Sequence, residues 1–182
     1  SRNTTNELVS GIKKLKQRGM TSLILDLRNN GGGLLQNAID IGSLFLKKKV
    51  LFYTLDRLNH KVTTYSAGIA LFENIPLFLL VNESTASSAE ILAGALKDNK
   101  RAVLIGGRTF GKASVQRIQD LPDGSSLLYT TAKYLTPLEI DISDKGVNVN
   151  INTNITKKQR IQVIKKFPTN MQNAIITSLS FF

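Results

Sequence analysis

Hydroxyl side chains and one lysine are the residues of this sequence whose types and spacing could do chemistry. Ser84, Thr85, Ser87 and Ser88 form a cluster at the start of a predicted helix. A serine at a helix N-terminus has free backbone amides beside it, and the helix dipole favours negative charge there. The same hydroxyls would also serve as simple helix N-caps. Because serine is a weak nucleophile until a base removes its proton, chemistry here requires a base as well.

Lys112 is the candidate base. A lysine accepts a proton only when it is neutral, and burial away from carboxylates favours the neutral form. Lys112 lies in a glycine-rich turn before a predicted strand, and no acidic residue occurs between positions 106 and 119. Alternation along that strand would place Gln116 on the same face, where its neutral amide could orient the amine. A surface lysine in a very basic chain is the alternative interpretation, and the turn alone does not decide between the two.

The composition argues against several other kinds of site. The 182 residues include no Cys and a single His, His60, so thiolate chemistry and a multi-histidine metal site are excluded and a Ser-His-Asp triad is disfavoured. His60 lies in the polar stretch DRLNHKVTT, which predicts an exposed hairpin. The glycines at 31–33 fit neither the GxGxxG nor the GxxxxGK[ST] pattern of nucleotide-binding loops. We therefore expect neither a metal nor a cofactor.

Alternating helices and strands are predicted to carry these residues. Thr4 and Glu7 would form a capping box for a first helix, which Gly19 ends. Short, continuously apolar runs predict strands of a sheet that is buried on both faces, at residues 22–27, 76–82 and 102–106. Helical spacing of apolar residues predicts two more helices, over about 34–47 and from 88 onward. The pattern favours an α/β fold with a parallel sheet.

Three predicted turns therefore lie at the carboxyl ends of strands, where α/β sheets place their ligand sites. They span residues 28–33, 83–87 and 106–112. The first supplies backbone amides from three glycines, the second supplies hydroxyls, and the third supplies the lysine. Together these are the groups that acyl transfer requires. Three glycines after a strand would also be explained by a tight turn alone.

The remainder of the chain is predicted to be β-rich. Residues 115–135 read as a hairpin that turns at Asp123 and Gly124. The tail, residues 148–182, is weakly defined, with Thr156 as the cap of a basic amphipathic helix. We expect the whole chain, 1–182, to form one compact domain.

The net charge of +11 raises the question of an anionic partner. Basic clusters occur at residues 13–18, 47–49 and 157–166, but they alternate with helical apolar positions and include no aromatic residues for base stacking. Solvated helix faces explain them, and we expect no nucleic-acid partner. Peripheral contact with an anionic membrane surface remains open. The longest apolar run, residues 75–81, is too short to span a bilayer.

Three segments carry a resemblance to a known family. LILDLRNNGGGLLQNAIDI, VNESTASSAEILAGALKDNKRA and GGRTFGKASVQ resemble the catalytic core of the carboxyl-terminal processing peptidases, which are serine-lysine proteases. The resemblance implies a core like that of crotonase and Clp protease, with alternating strands and helices and a β-rich C-terminal part. The later segment DISDKGV is most similar to the cyanobacterial and chloroplast branch. Val149 and Asn150 stand where the family commonly has Pro-Asp, which is a departure in one turn.

The resemblance also implies roles for individual residues. Ser87 matches the nucleophile, Lys112 the general base, and Gln116 the residue that orients the lysine. The amide of Ser88 would form the oxyanion hole together with the amide of Gly32, which we favour here, or with that of Gly33. The family's supporting positions match Asp98, Glu90 and Thr109.

The implied activity is that of a serine endopeptidase without a cofactor. Its substrates would be polypeptides with extended or apolar C-termini, cleaved outside the cytoplasm in a thylakoid lumen or a periplasm. The chain looks like a fragment that lacks an upstream PDZ domain and the first part of the core. A non-catalytic domain of the same fold that binds a peptide or an apolar ligand is the alternative. The presence of Ser87, Lys112 and Gln116 together argues against that alternative.

Overall fold

The computed structural model describes residues 3–68 and 70–153 and, beyond them, the backbone of residues 175–176. The helices in this part of the chain are α1 (Thr4–Gln17), α2 (Leu35–Phe45) and α3 (Ser88–Asp98). The strands are β1 (Leu23–Asp26), β2 (Val50–Asp56), β3 (Lys61–Tyr65), β4 (Leu77–Val81), β5 (Ala102–Gly106), β6 (Ser114–Asp120), β7 (Ser126–Leu135), β8 (Ile151–Asn152) and β9 (Ile175–Ile176). No helix among the described residues is long and apolar enough to cross a bilayer.

A parallel sheet carries the three predicted turns. Its strand order is β8-β5-β4-β1-β9, and every neighbouring pair is parallel. All four residues of β1 are buried, and the inward-facing residues of β4 and β5 are buried as well. These strands correspond to the predicted apolar runs, so the α/β prediction is confirmed. Because β1, β4 and β5 are adjacent and parallel, the loops at their carboxyl ends meet at one edge of the sheet.

A second, antiparallel sheet has the order β3-β2-β7-β6. It contains both predicted hairpins. In the first, His60 is exposed and its Nδ1 lies 3.1 Å from a carboxylate oxygen of Asp56. In the second, the turn between β6 and β7 includes Gly124, whose φ is +84°. The histidine is thus a surface residue, as its polar surroundings predicted.

Helix α3 lies between the two sheets. Its residues 88–96 are all buried, and the helix contacts β5 of the parallel sheet, β2 of the antiparallel sheet and α2. A helix that is apolar on every side must be enclosed in this way. The N-terminus of α3 therefore has a fixed position relative to both sheets, which matters because the serine cluster lies there.

One detail of the sequence-based prediction is wrong. The predicted capping box at Thr4 and Glu7 does not form, because the N-cap is Asn3 and Thr4 is already a buried helical residue. The side chain of Asn3 makes no capping hydrogen bond to the helix backbone. Within the predicted tail, Ile151 and Asn152 pair with β5 in the parallel sheet. The helix predicted after Thr156 and the basic cluster at 157–166 lie outside the described residues.

Candidate active site

The three loops at the sheet edge are bound to one another through their backbones. The amide of Ala86 donates to the carbonyl of Asn30 at 2.8 Å, which joins the serine loop to the glycine loop. The amide of Phe110 donates to the carbonyl of Thr85 at 3.0 Å, which joins the serine loop to the lysine loop. The predicted convergence of the three loops is therefore confirmed.

Ser87 occupies a strained turn between β4 and α3. Its backbone angles are φ 59° and ψ −125°, a conformation that residues with a Cβ rarely adopt. Such strain costs about 1–3 kcal/mol and persists only where the surroundings impose it. A sharp turn from a strand into a helix presents a serine Oγ at the top of the sheet, as in the nucleophile turn of α/β-hydrolases. Ser87 is partly exposed, as a nucleophile must be.

The buried carboxylate of Glu90 connects the serine loop to the lysine loop. Its side chain is 0% exposed. One oxygen, Oε2, accepts a hydrogen bond from the backbone amide of Ser87 and another from that of Lys112, each at 2.9 Å. The other oxygen, Oε1, accepts from the Thr109 hydroxyl at 2.5 Å and from the Gly111 amide at 2.7 Å. The backbones of Ser87 and Lys112 are thereby held against the same oxygen atom.

Thr109 extends this network to a further segment of the chain. Its Oγ1 accepts a hydrogen bond from the Val147 amide at 2.7 Å, while its own proton is donated to Glu90. All four partners of Glu90 are thus donors, the pattern that an ionised carboxylate satisfies. The supporting positions that the sequence indicated, Glu90 and Thr109, lie together beneath the candidate nucleophile.

The environment predicted for Lys112 is wrong in two respects. Lys112 is exposed, whereas a buried lysine was predicted at this position. The local sequence contains no acid, but the fold places Glu90 against the Lys112 amide. Lys112 also precedes β6, which begins at Ser114, so strand alternation does not set the direction of its side chain relative to Gln116. The structure brings the backbones of Ser87 and Lys112 together without enclosing the lysine side chain.

The candidate oxyanion hole lies where the glycine loop meets the start of α3. Gly32 has φ +95°, and a Cβ at this position would lie 2.7 Å from the Ala86 carbonyl oxygen and 2.8 Å from the Ser87 Cβ. The same point is 3.0 Å from the Ser88 amide nitrogen. Only glycine fits so closely against the serine turn, so the glycine loop shapes the site rather than simply permitting a turn.

The two candidate glycine amides differ in their hydrogen bonds. The Gly32 amide donates to Oδ1 of Asn30 at 2.9 Å, within its own loop. The Gly33 amide donates no hydrogen bond within the described residues. Ser88 is the first residue of α3, and its amide likewise has no acceptor in the described part of the chain. The arrangement therefore leaves the amides of Ser88 and Gly33 available for an oxyanion.

Sequence reasoning missed an asparagine pair that holds the glycine loop to the serine loop. Oδ1 of Asn82 accepts from the amides of Asn29 at 2.9 Å and Ser84 at 3.2 Å. Nδ2 of Asn82 donates to Oδ1 of Asn29 at 2.8 Å. An asparagine directly after a strand is a common turn residue, because its side chain bonds to the backbone two residues on. The asparagine at position 82 could therefore have predicted the hydrogen bond from Ser84 in the same turn. It could not have predicted the hydrogen bond from Asn29, which lies 53 residues earlier in the chain.

Arg28 at the base of the glycine loop forms a two-point ion pair with Asp26. Its Nε lies 2.9 Å from Oδ1, and its terminal nitrogen lies 2.5 Å from Oδ2. The hydrogen bond to Asp26 raises the pKa of Arg28, although partial burial acts in the opposite direction. The end of β1 is thus fixed by a charged pair before the loop begins.

Asp98 lies away from these residues. It is the last residue of α3, about 15 Å along the helix from Ser88 at 1.5 Å per residue. Its carboxylate accepts a hydrogen bond from the Leu138 amide at 3.2 Å. Asp98 therefore supports a loop and takes no part in the candidate site.

A serine on a strained strand-to-helix turn, next to the amides of Ser88 and Gly33, resembles the nucleophile turn of serine hydrolases. The sequence profile of peptidase family S41 matches residues 1–153. The chain belongs to this family, and its resemblance to carboxyl-terminal processing peptidases is confirmed.

Individual relatives agree with this assignment. The chain is 45% identical over 147 residues to the carboxyl-terminal-processing protease of Picosynechococcus sp., covering 81% of the chain and 35% of that relative. It is 38% identical over 169 residues to the chloroplastic carboxyl-terminal-processing peptidase 3 of Arabidopsis thaliana, covering 91% of the chain and 33% of that relative. A solved structure titled photosystem II D1 C-terminal processing protease matches the whole chain and 45% of its own length, with a TM-score of 0.82 and 33% identity. The chain thus spans about a third of the length of these curated relatives.

Proposed function

We propose that this chain supplies the catalytic residues of a serine endopeptidase that cleaves polypeptides near their C-termini, with Ser87 as nucleophile and Lys112 as general base. The observation that carries the proposal is the shared oxygen of Glu90, which holds the amides of both residues at 2.9 Å. A nucleophile and a base must keep a fixed separation for efficient proton transfer. A carboxylate that binds both backbones provides this separation and leaves both side chains free to react.

In the proposed acylation step, the neutral amine of Lys112 removes the proton of the Ser87 hydroxyl as Oγ attacks a backbone carbonyl carbon. The carbonyl oxygen becomes an oxyanion, which the amides of Ser88 and one glycine stabilise. Gly33 replaces the expected Gly32 in the second role, because the Gly32 amide is already bonded to Asn30. Each such donor typically lowers the barrier by about 3 kcal/mol. The ammonium of Lys112 then protonates the leaving amine as the peptide bond breaks.

The proposed deacylation step uses the same groups. A water molecule gives its proton to Lys112 and attacks the acyl-enzyme, and collapse of the second oxyanion returns the proton to Ser87 and releases the new C-terminus. Gln116 would orient the amine without adding charge. Because Lys112 is exposed in this structure, a polypeptide lying across its loop would displace the surrounding water and favour the neutral amine.

The names of the relatives support the proposed substrate class. Relatives are named for carboxyl-terminal processing, and some of them are cyanobacterial or chloroplastic. We extend this to a polypeptide with an extended or apolar C-terminus, cleaved outside the cytoplasm in a thylakoid lumen or a periplasm.

Cleavage of an unfolded polypeptide with an apolar C-terminus tests the proposal. The wild type is compared with Ser87→Ala, Lys112→Ala and Lys112→Arg. Arginine keeps the charge and approximate length of lysine but remains protonated, so it cannot act as a base. All three variants should lose cleavage. Ser84→Ala is the matched control, because Ser84 is an exposed hydroxyl in the same turn and its loss should have no effect.

The masses of the products complete the test. Each product should correspond to a cut near the C-terminus of the substrate. Cleavage that survives in Ser87→Ala, or a Lys112→Arg variant as active as the wild type, would show that another pair of residues performs the reaction.

A further inference from the structure

The hairpin that follows Lys112 has an unpaired edge within the described part of the chain. Strand β6 is the last strand of the antiparallel sheet, and its residues from Gln116 to Asp120 are all exposed. An edge strand presents a row of free amides and carbonyls, which is a template for pairing with another extended chain. Since β6 begins two residues after Lys112, this edge starts next to the candidate base.

The pairing between β6 and β7 shows which backbone groups are free. The amide of Leu121 donates to the carbonyl of Ser125 at 2.8 Å, so these two residues form a hydrogen-bonded pair. In an antiparallel ladder, hydrogen-bonded and non-hydrogen-bonded pairs alternate. The pairs Gln116 with Thr130 and Ile118 with Leu128 are therefore non-hydrogen-bonded. The amides and carbonyls of residues 116, 118 and 120 accordingly point to the free edge.

The face of the hairpin that carries Gln116 also carries an exposed apolar pair. Side chains alternate along a strand, so Ile118 lies on the same face as Gln116, two residues further from Lys112. Leu128 is directly opposite Ile118 and therefore lies on this face as well. Ile118 is 71% exposed and Leu128 is 58% exposed. The side chains of a non-hydrogen-bonded pair are close together, so the two form one apolar surface.

A groove adjoins this surface on the side towards Lys112. It has a volume of about 320 Å³, and its lining includes Ser114, Thr130 and Lys133. Thr130 is the cross-strand partner of Gln116, so the groove and the apolar pair are neighbours along the hairpin. The groove is also lined by Leu55 and Asp56 of β2, on the other side of β7 from the free edge, so an extended chain along the edge of β6 would pass the apolar pair and Gln116.

We propose that β6 is the docking strand for the substrate, which adds to its free edge as an extended chain and places an apolar side chain against Ile118. The proposal rests on the proposed function and names Ile118 as a specificity-determining residue. Neighbouring strands lie about 4.8 Å apart, so a substrate side chain beside β6 touches Ile118 directly. Leu128 is one strand further away and acts mainly by packing against Ile118.

Peptide binding to the Ser87→Ala variant of the full chain tests the docking strand without turnover. The probe is a fluorescein-labelled decapeptide of alternating valine and threonine, and its Kd is measured by fluorescence anisotropy. Ile118→Ser should raise the Kd about tenfold, and Leu128→Ser about threefold. Leu127→Ser is the matched control, because Leu127 is 52% exposed on the opposite face of the same hairpin, and its Kd should not change.

A second measurement tests the backbone pairing itself. A series of probes is methylated at one amide nitrogen at a time. An added strand directs alternate amides towards β6, so binding should fall more than tenfold at every second position and remain unchanged between. Equal losses in Ile118→Ser and Leu127→Ser, absence of binding, or a methylation series without alternation would overturn the docking strand. Cleavage that survives in Ser87→Ala is a separate result, which would overturn the proposed function instead.

Discussion

Replacing Glu90 by glutamine is the sharpest test of how the candidate nucleophile and base are held. The carboxylate accepts four hydrogen bonds, two at each oxygen, and its side chain is completely buried. Glutamine has nearly the same shape but only one acceptor oxygen, and its NH2 group is a donor. In either orientation, the NH2 group faces two groups that are donors in the wild type.

The expected loss of stability follows from counting those donors. If the NH2 group replaces Oε2, it faces the amides of Ser87 and Lys112. If it replaces Oε1, the Thr109 hydroxyl can rotate to accept, but the Gly111 amide cannot. At least one buried amide is then left without an acceptor, at a cost of about 1–3 kcal/mol. The remaining hydrogen bonds are weaker because their acceptor is now a neutral amide oxygen. We expect the free energy of unfolding to fall by about 2–4 kcal/mol.

We also expect a large fall in kcat for polypeptide cleavage, beyond what the loss of folded protein explains. The amides of Ser87 and Lys112 are no longer held to one oxygen, and small displacements of reacting groups cost about a hundredfold in rate. Urea unfolding followed by circular dichroism gives the first quantity, and kcat for polypeptide cleavage in the folded fraction gives the second.

The matched control is Glu83→Gln, which makes the same chemical change at an exposed glutamate in the same turn. It should leave both stability and kcat unchanged. If Glu90→Gln behaved like Glu83→Gln in both measurements, the four hydrogen bonds would have no role in holding the site and the reasoning would be refuted.

Four further substitutions test individual features. Ser87→Gly should be more stable than Ser87→Ala by about 1 kcal/mol in urea unfolding, because glycine relieves the positive φ while alanine retains it. Gly32→Ala should abolish cleavage, since its Cβ would collide with the serine turn, and a variant with normal kcat would contradict this contact. Desolvation acts to raise the pKa of Asp141, but the hydrogen bonds from Lys133 and Ser143 outweigh it and lower that pKa to about 2. The stability from this pair is present above pH 4 and is lost as the pH falls towards 2, so Asp141→Asn should remove about 1 kcal/mol of the acid dependence after allowance for solvent screening. Arg101→Met should lower the free energy of unfolding by about 3 kcal/mol, because the guanidinium donates three hydrogen bonds to backbone carbonyls that methionine leaves unpaired.

The sheet that carries the site could be predicted from the sequence because its signal is local. Short apolar runs identify the strands at 23–26, 77–81 and 102–106, of which the first is buried on both faces and the other two on alternate residues. Each is followed at once by a turn or a helix start. Parallel neighbours then bring their carboxyl ends together without further information. The meeting of the glycine, serine and lysine loops was therefore accessible from these 182 residues.

The contacts inside the site were not accessible in the same way. Ser87 and Glu90 have the spacing of a capping box, which is a readable signal. The other donors to Glu90 include two backbone amides 21 and 22 residues further along the chain, and a backbone amide has no side-chain signature. For the same reason the absence of local acids around Lys112 was misleading, because the relevant acid belongs to another element.

The use of backbone amides also explains why the site can be both rigid and reactive. A carboxylate that bound the Ser87 hydroxyl or the Lys112 amine directly would hold a proton or a charge that the reaction must move. Glu90 instead accepts hydrogen bonds from the two backbone amides, which fixes the backbone positions of Ser87 and Lys112. Its oxygens do not bind the Ser87 Oγ or the Lys112 Nζ. As a consequence, the position of the Glu90 carboxylate depends on two hydrogen bonds in series, one from Thr109 to Glu90 and one from the Val147 amide to Thr109. A displacement of that distant segment would therefore be transmitted to the lysine loop, so the position of the proposed nucleophile depends on residues of several separate segments.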